Sequence, residues 1–306
     1  MSNPATDSCP RDVGKPPVSV LGLGYMGSAM ARIFIQNGHM VFLWNRSPDK
    51  ATPLTALGGK ACDTAEECVQ ASEIVISCIT DSEAFGAVFK GIDSSSGAGR
   101  VLVDFTTGSP SQVSQSVELA KQRTFDAYIH GSILALPLQV GLPDTVALYS
   151  GPAKAFRGVE STLKCLGQAR YLSEDPLQAG LEEVMLINVY YTMSAGFLQS
   201  MALLKRSGLW SPGLAEKFTV ESVLPSLQAT QESLVEIARQ IDKQDYKTDG
   251  TGCRLGNHLS SLRNFIQTHQ ELKVAPLCLE PFADLVEKRI LQGGGDEELS
   301  GLVDIL

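Results

Sequence analysis

Gly22, Gly24 and Gly27, in the run Gly22-Leu23-Gly24-Tyr25-Met26-Gly27, are spaced to cradle a pyrophosphate. The first glycine permits a tight turn, the second lets backbone N–H groups approach phosphate oxygens, and the third lets a helix pack close to a strand. That helix would point its partial positive N-terminus at the phosphates. Asn45, Arg46, Ser47 and Lys50 follow at the end of the next apolar run. An acid about 20 residues past the glycines would suit the ribose 2′-OH of NAD, whereas a guanidinium fork suits a 2′-phosphate. The pattern therefore predicts NADP(H), with Asp49 turned to solvent.

The elements that must position these residues are legible around them. Val18 to Leu21 reads as a strand, Ser28 to Gln36 as a helix, Asn37-Gly38 as its C-terminal cap, and Met40 to Trp44 as a second strand. The alternation continues with helices at 64–71, 82–89, 111–122 and 154–166, and strands at 74–78, 101–104, 128–129 and 145–149. Such a pattern predicts a doubly wound, mainly parallel sheet. Ligands of these sheets lie at the carboxyl ends of the strands, where Cys78-Ile79-Thr80 and Thr106-Thr107 fall.

From Leu177 the chain reads as almost pure helix: 177–206, 212–223, 225–240, 258–270 and 276–291. The expected domains are a lead at 1–17 without periodicity and expected to be disordered, a nucleotide-binding domain at 18–176, and a helical domain at 177–306 for dimerisation and substrate. A thirty-residue apolar helix must be covered on most sides, which predicts an intertwined dimer. Met185, Met193 and Met201 recur along it at eight-residue spacing and read as packing residues with some cleft-lining use.

The chain has 306 residues, 43% of them hydrophobic, and a formal net charge of −9. An acidic balance argues against nucleic-acid and anionic-membrane partners. No apolar run approaches the roughly 20 residues of a membrane span. Seven cysteines (Cys9, Cys62, Cys68, Cys78, Cys165, Cys253 and Cys278), an odd number, lack metal-like spacing, and the first residues carry no apolar run of signal-peptide type. Reduced thiols, a cytoplasmic compartment and no metal are the expectation.

An α/β Rossmann domain followed by an all-α domain on a long interdomain helix resembles the β-hydroxyacid dehydrogenase superfamily. The hydroxyacid branch carries a carboxylate-gripping segment where this chain has Tyr128-Ile129-His130-Gly131-Ser132, and a catalytic Lys where this chain has Glu183. Both departures resemble imine reductases and the fungal reductive aminases. So do Trp44-Asn45-Arg46-Ser47, Thr106-Thr107-Gly108-Ser109-Pro110, Leu148-Tyr149-Ser150-Gly151, Gly196-Phe197-Leu198, the run from Gln240 to Tyr246, and the C-terminal run from Glu298 to Val303. The resemblance implies a domain-swapped homodimer that uses NADPH to reduce an imine to an amine by hydride transfer, with reductive amination of a carbonyl plus an amine as an extension.

By position, the resemblance puts the catalytic acid at Glu183 and a phenol at Tyr191. The family acid is usually Asp, so Glu183 carries one extra methylene. Acids such as Glu182 and Glu183 are also favoured near a helix N-terminus without catalytic duty, and Tyr190, seven residues after Glu183, shares its helical face more nearly than Tyr191 does. Leu134, Thr107, Ser226 and His258 are the implied substrate-pocket positions. Thr107 stands where some relatives have Asn, Ser226 where some have Trp, and His258 where many have Gln. His258 is either a second proton donor or a hydrogen-bonded helix residue. His130 matches a family histidine and is read as structural; His39 is expected on the surface. Two other functions compete: a β-hydroxyacid dehydrogenase, and a non-catalytic NADP-binding sensor or scaffold.

Overall fold

The computed structural model describes residues 14–250 and 252–306. Most of the expected disordered lead, with Cys9, lies outside the described residues. Two compact units divide at Leu186/Ile187.

In the first unit the order is β1 (Val18–Leu21), α1 (Tyr25–Gln36), β2 (Val41–Trp44), a short α2 (Thr52–Thr55), β3 (Lys60–Ala61) and α3 (Ala65–Gln70). β4 (Ile74–Ser77), α4 (Ser82–Lys90), β5 (Val101–Asp104), α5 (Pro110–Gln122), β6 (Ala127–Ile133), β7 (Val146–Ser150), α6 (Ala153–Leu163) and β8 (Gln168–Tyr171) follow. The eight strands lie in the order β3-β2-β1-β4-β5-β6-β7-β8, parallel except where β6 meets β7. Strand order reverses between β1 and β4, and that switch point opens a crevice at the strands' carboxyl ends.

β1 and β4 are buried along their whole length, as strands covered on both faces must be. Val18, Val20 and Leu43 pack under Met30 and Phe34 of α1, while Leu21, Val75 and Leu102 pack with Phe85 and Phe89 of α4. α1 stops where expected. Gly38 has φ +81°, and its N–H donates to Ile35 O while that of His39 donates to Phe34 O, which closes the helix in a Schellman turn. The same turn swings His39 inward, correcting its expected surface position. Its ring is 7% exposed, meets Phe34 edge-on at 5.8 Å, and has Nδ1 2.8 Å from the Pro16 carbonyl.

α7 (Leu177–Arg206) is one continuous helix that begins in the first unit and runs on into the second. The second unit adds α8 (Leu214–Phe218), α9 (Leu224–Ala229), α10 (Gln231–Lys243), α11 (Leu255–Glu271) and α12 (Leu279–Arg289). Its core gathers Leu255, Leu259, Leu262, Ala283, Val286 and Leu302. The helix break expected before Pro225 is absent. A π turn at Thr219–Val223 carries α8 into α9 through the proline, and its wider spacing accommodates the missing N–H. The break falls instead at Thr230, whose hydroxyl donates back to the carbonyls of Ser226 and Leu227. Among the described residues no helix is long and apolar enough to cross a membrane.

Candidate functional site

A cavity of about 940 Å³ opens at the switch point, within the first unit. Its floor is the glycine turn. Gly22 has φ +93°, and a Cβ there would run into the carbonyl of Cys78; a Cβ at Gly27 would run into the carbonyl of Gly22. At Gly24 a Cβ would meet nothing within 4 Å, and this glycine caps α1 without a side chain of its own. The N-terminus of α1 is thus presented bare to the cavity, as a phosphate group requires. These close approaches and the open Gly24 fit a dinucleotide pyrophosphate.

Leu23, Tyr25, Met26, Asn45, Arg46, Ser47, Lys50, Cys78, Ile79, Thr80, Thr107 and Glu183 join the three glycines in the wall. Asn45 ties two parts together: its Oδ1 accepts the Leu23 N–H at 2.9 Å and its Nδ2 donates to Ser47 O at 3.1 Å. Arg46, Ser47, Lys50 and Asp49 are exposed, and the first three line the rim. Thr106 does not line the cavity. It is 3% exposed and its Oγ1 accepts the Ile79 N–H at 3.3 Å, so it braces the loop after β4 from below. Leu134 is also outside the wall, where Ser132 and Ile133 hold that place; its N–H donates to Val146 O at 3.0 Å.

Glu183 is held by the way α7 starts. Asp175 Oδ1 accepts the Leu177 N–H at 3.0 Å, and Ser150 Oγ accepts the Ala179 N–H at 2.9 Å while donating to Pro176 O. Gly180 then lies against β6, where a Cβ would stand 3.1 Å from His130 Nε2. Three residues on, burial raises the Glu183 carboxyl above the ordinary glutamate range, and the hydroxyls of Ser132 and Thr107 oppose that shift. Glu182 points elsewhere, accepting from Gln178 Nε2 at 3.0 Å.

Behind the wall sits a buried polar group. Tyr128 donates to Asp104 Oδ2 at 2.9 Å, the Thr106 N–H donates to Asp104 Oδ1 at 3.0 Å, and His130 Nδ1 lies 3.2 Å from the Tyr128 oxygen. With the phenol proton on Asp104, the imidazole must donate through Nδ1, which leaves Nε2 a bare acceptor without a partner. Burial pushes Asp104 up to about 6 and His130 down to about 4. Burial and the Asp104 charge push the Cys78 thiol up to about 12, so Cys78 serves here as an inert apolar wall. His130 is buried and does not line the cavity.

The remaining expected residues belong to the second unit. Tyr191 is 66% exposed on α7 and meets Tyr190 edge-on at 5.6 Å. Ser226 is exposed on α9, and His258 is half-buried on α11 with its N–H on Arg254 O. Sequence reasoning missed Ser132, Phe105, Glu66 and Val88 in the cavity wall. Only Ser132 carried a signal, since it shares a strand face with Tyr128 and His130. Among the described residues no cluster of three His, Cys, Asp or Glu side chains is placed to hold a metal ion.

Residues 17–173 match the family described as the NAD binding domain of 6-phosphogluconate dehydrogenase, and residues 175–306 match the NADPH-dependent reductive aminase-like C-terminal domain. An NADPH-dependent reductive aminase of Aspergillus oryzae is 32% identical over 94% of this chain and 96% of its own. Among solved structures, a reductive aminase from Aspergillus terreus in complex with NADPH4, cyclohexanone and allyl amine is similar at TM-score 0.87 and 34% identity, covering 95% of this chain and 99% of that one. An imine reductase from Aspergillus terreus is similar at TM-score 0.86 and 33% identity, covering 96% and 100%.

Proposed function

The chain belongs to the NADPH-dependent reductive aminases and imine reductases, and from that premise we propose that Glu183 is the acid that activates the C=N bond in its cavity. The enzyme reduces an imine to an amine. NADPH, when bound, supplies the hydride. The glycine turn and the α1 N-terminus hold the pyrophosphate, and Arg46, Ser47 and Lys50 hold the 2′-phosphate.

The observation that carries the reading of Glu183 is a carboxyl lining the dinucleotide cavity whose burial favours its neutral form. Such a group keeps its proton at pH values where an exposed glutamate has lost it. It can pass that proton to the imine nitrogen, and the carboxylate left behind stabilises the iminium while its carbon accepts hydride. The nitrogen keeps the proton in the product amine, and Glu183 regains one from solvent. A carbonyl and an amine, the kinds of ligand named with the A. terreus aminase, enter the same chemistry after condensing with loss of water. From the family resemblance, Tyr191 is the proposed second catalytic group, and Ser226 and His258 are proposed to serve substrate.

In this division of labour residues 18–176 serve NADPH, and residues 177–306 serve substrate and dimerisation. A homodimer accounts for the large apolar side chains left exposed on α7, Val189, Tyr190, Met193 and Leu198 among them. The six described cysteines are free thiols, which suits the reducing cytoplasm.

The test is NADPH oxidation with 1-pyrroline, followed by product analysis. Turnover to pyrrolidine, with no NADP+ reduction on β-hydroxyacids, is the expected result. Tight NADPH binding without turnover on any imine would instead identify a sensor.

A further inference from the structure

Ser132 is 2% exposed, lines the cavity, and has an Oγ that makes no hydrogen bond. A buried hydroxyl in that state is a stability liability, because it has lost water and gained no partner. Its surroundings say what it waits for. Tyr128, His130 and Ser132 lie on one face of β6, and the first turn of α7 meets that face, with Gly180 against His130. Glu183, three residues further along α7, brings its carboxyl towards Ser132 and Thr107. Thr107 is exposed, so the buried donor at this corner is Ser132.

Resting on the reading of Glu183 as the proton-transferring acid, we infer that Ser132 is a positioning residue whose hydroxyl donates to the Glu183 carboxylate as the proton leaves for the imine nitrogen. The anion needs that donor more than the neutral carboxyl does. When negative charge develops on the carboxyl oxygens, a donor already buried beside them stabilises it without solvent reorganisation. The O–H bond of Ser132 does not break; only the Glu183 proton is transferred. Ser132 thereby fixes which way the longer glutamate side chain points at the moment of reaction.

Other titratable groups sit on the elements that meet here, Glu182 among them but turned away onto Gln178. Glu182 is on α7 itself, His130 and Tyr128 are on β6, and Asp104 is on β5 behind Tyr128. Asp104 titrates near 6, so the Glu183 transition is identified as the one that disappears in Glu183→Gln.

Three measurements on Ser132→Ala test the inference. Carbon-13 NMR of the Glu183 carboxyl in the cofactor-free protein is expected to show a midpoint about one pH unit higher than in the wild type, because a donor to the anion is gone. On a preformed cyclic imine, kcat is expected to fall about tenfold with KM for NADPH unchanged. The melting temperature is expected to hold or rise, since an unpaired buried hydroxyl has been removed. A wild-type midpoint and wild-type kcat in Ser132→Ala, with Glu183→Gln inactive, overturn the inference alone. Wild-type turnover in Glu183→Gln overturns the reading beneath it.

Discussion

Arg46 and Lys50 stand exposed at the cavity rim, and Asn45 fixes the backbone around them by bridging Leu23 N–H and Ser47 O. An exposed guanidinium contributes through its fork and charge to a phosphate, less than a buried pair would. Arg46→Ala is therefore expected to raise KM for NADPH by about tenfold and leave that for NADH nearly unchanged. His130 and Asp104 make a second residue-scale expectation. His130 titrates at about 4 in the fold against an ordinary 6.5, so its contribution is complete above pH 6.5 and is lost as pH falls towards 4. Asp104 runs the other way. At about 6 against 3.8, it favours the fold while protonated, and that contribution is lost as pH rises through 6. The two oppose each other on acidification, and His130→Gln removes one of them. Between pH 7 and 5 the melting temperature of this variant is expected to fall by several degrees less than that of the wild type. Residue types made the cofactor side legible, because glycine spacing and a cation after the second strand have direct physical consequences. Ser132 and His39 were not legible in that way. Whether a hydroxyl is buried unpaired, or a histidine is folded under a helix end, depends on what the rest of the chain lays over it.

At the scale of elements, the β1 turn and the start of α1 form a single device. Gly27 permits α1 to lie against the turn, and any Cβ there meets the Gly22 carbonyl. Gly27→Ala is expected to abolish the rise in melting temperature that excess NADPH gives the wild type, measured by thermal shift. The first turns of α7 form the second device. Asp175 caps them, Ser150 and the close approach of Gly180 to His130 pin them to the sheet, and that anchoring sets the place of Glu183. The helix bounds at Leu177 and Arg206 were readable from an unbroken apolar run without proline. Pro225 misled for a local reason, since a π turn absorbs the proline that an α-helix would reject.

For the molecule as a whole, the alternating βα pattern was enough to foretell a doubly wound sheet, because each strand and helix carried its own period. The single antiparallel pairing of β6 with β7 was not foreseeable from period, which says nothing about strand direction. The apolar side chains exposed along α7 belong to this scale too. Light scattering at micromolar concentration is expected to give about twice the 32.8 kDa chain mass; a clean monomer would remove the homodimer. Proton transfer from Glu183 is tested most directly by single-turnover hydride transfer to a preformed cyclic imine, comparing wild type with Glu183→Gln across pH. The expected rate is about 10² to 10⁴ lower in the variant, with the wild type's decline at rising pH missing from its profile. An equal rate with an unchanged profile would contradict that role.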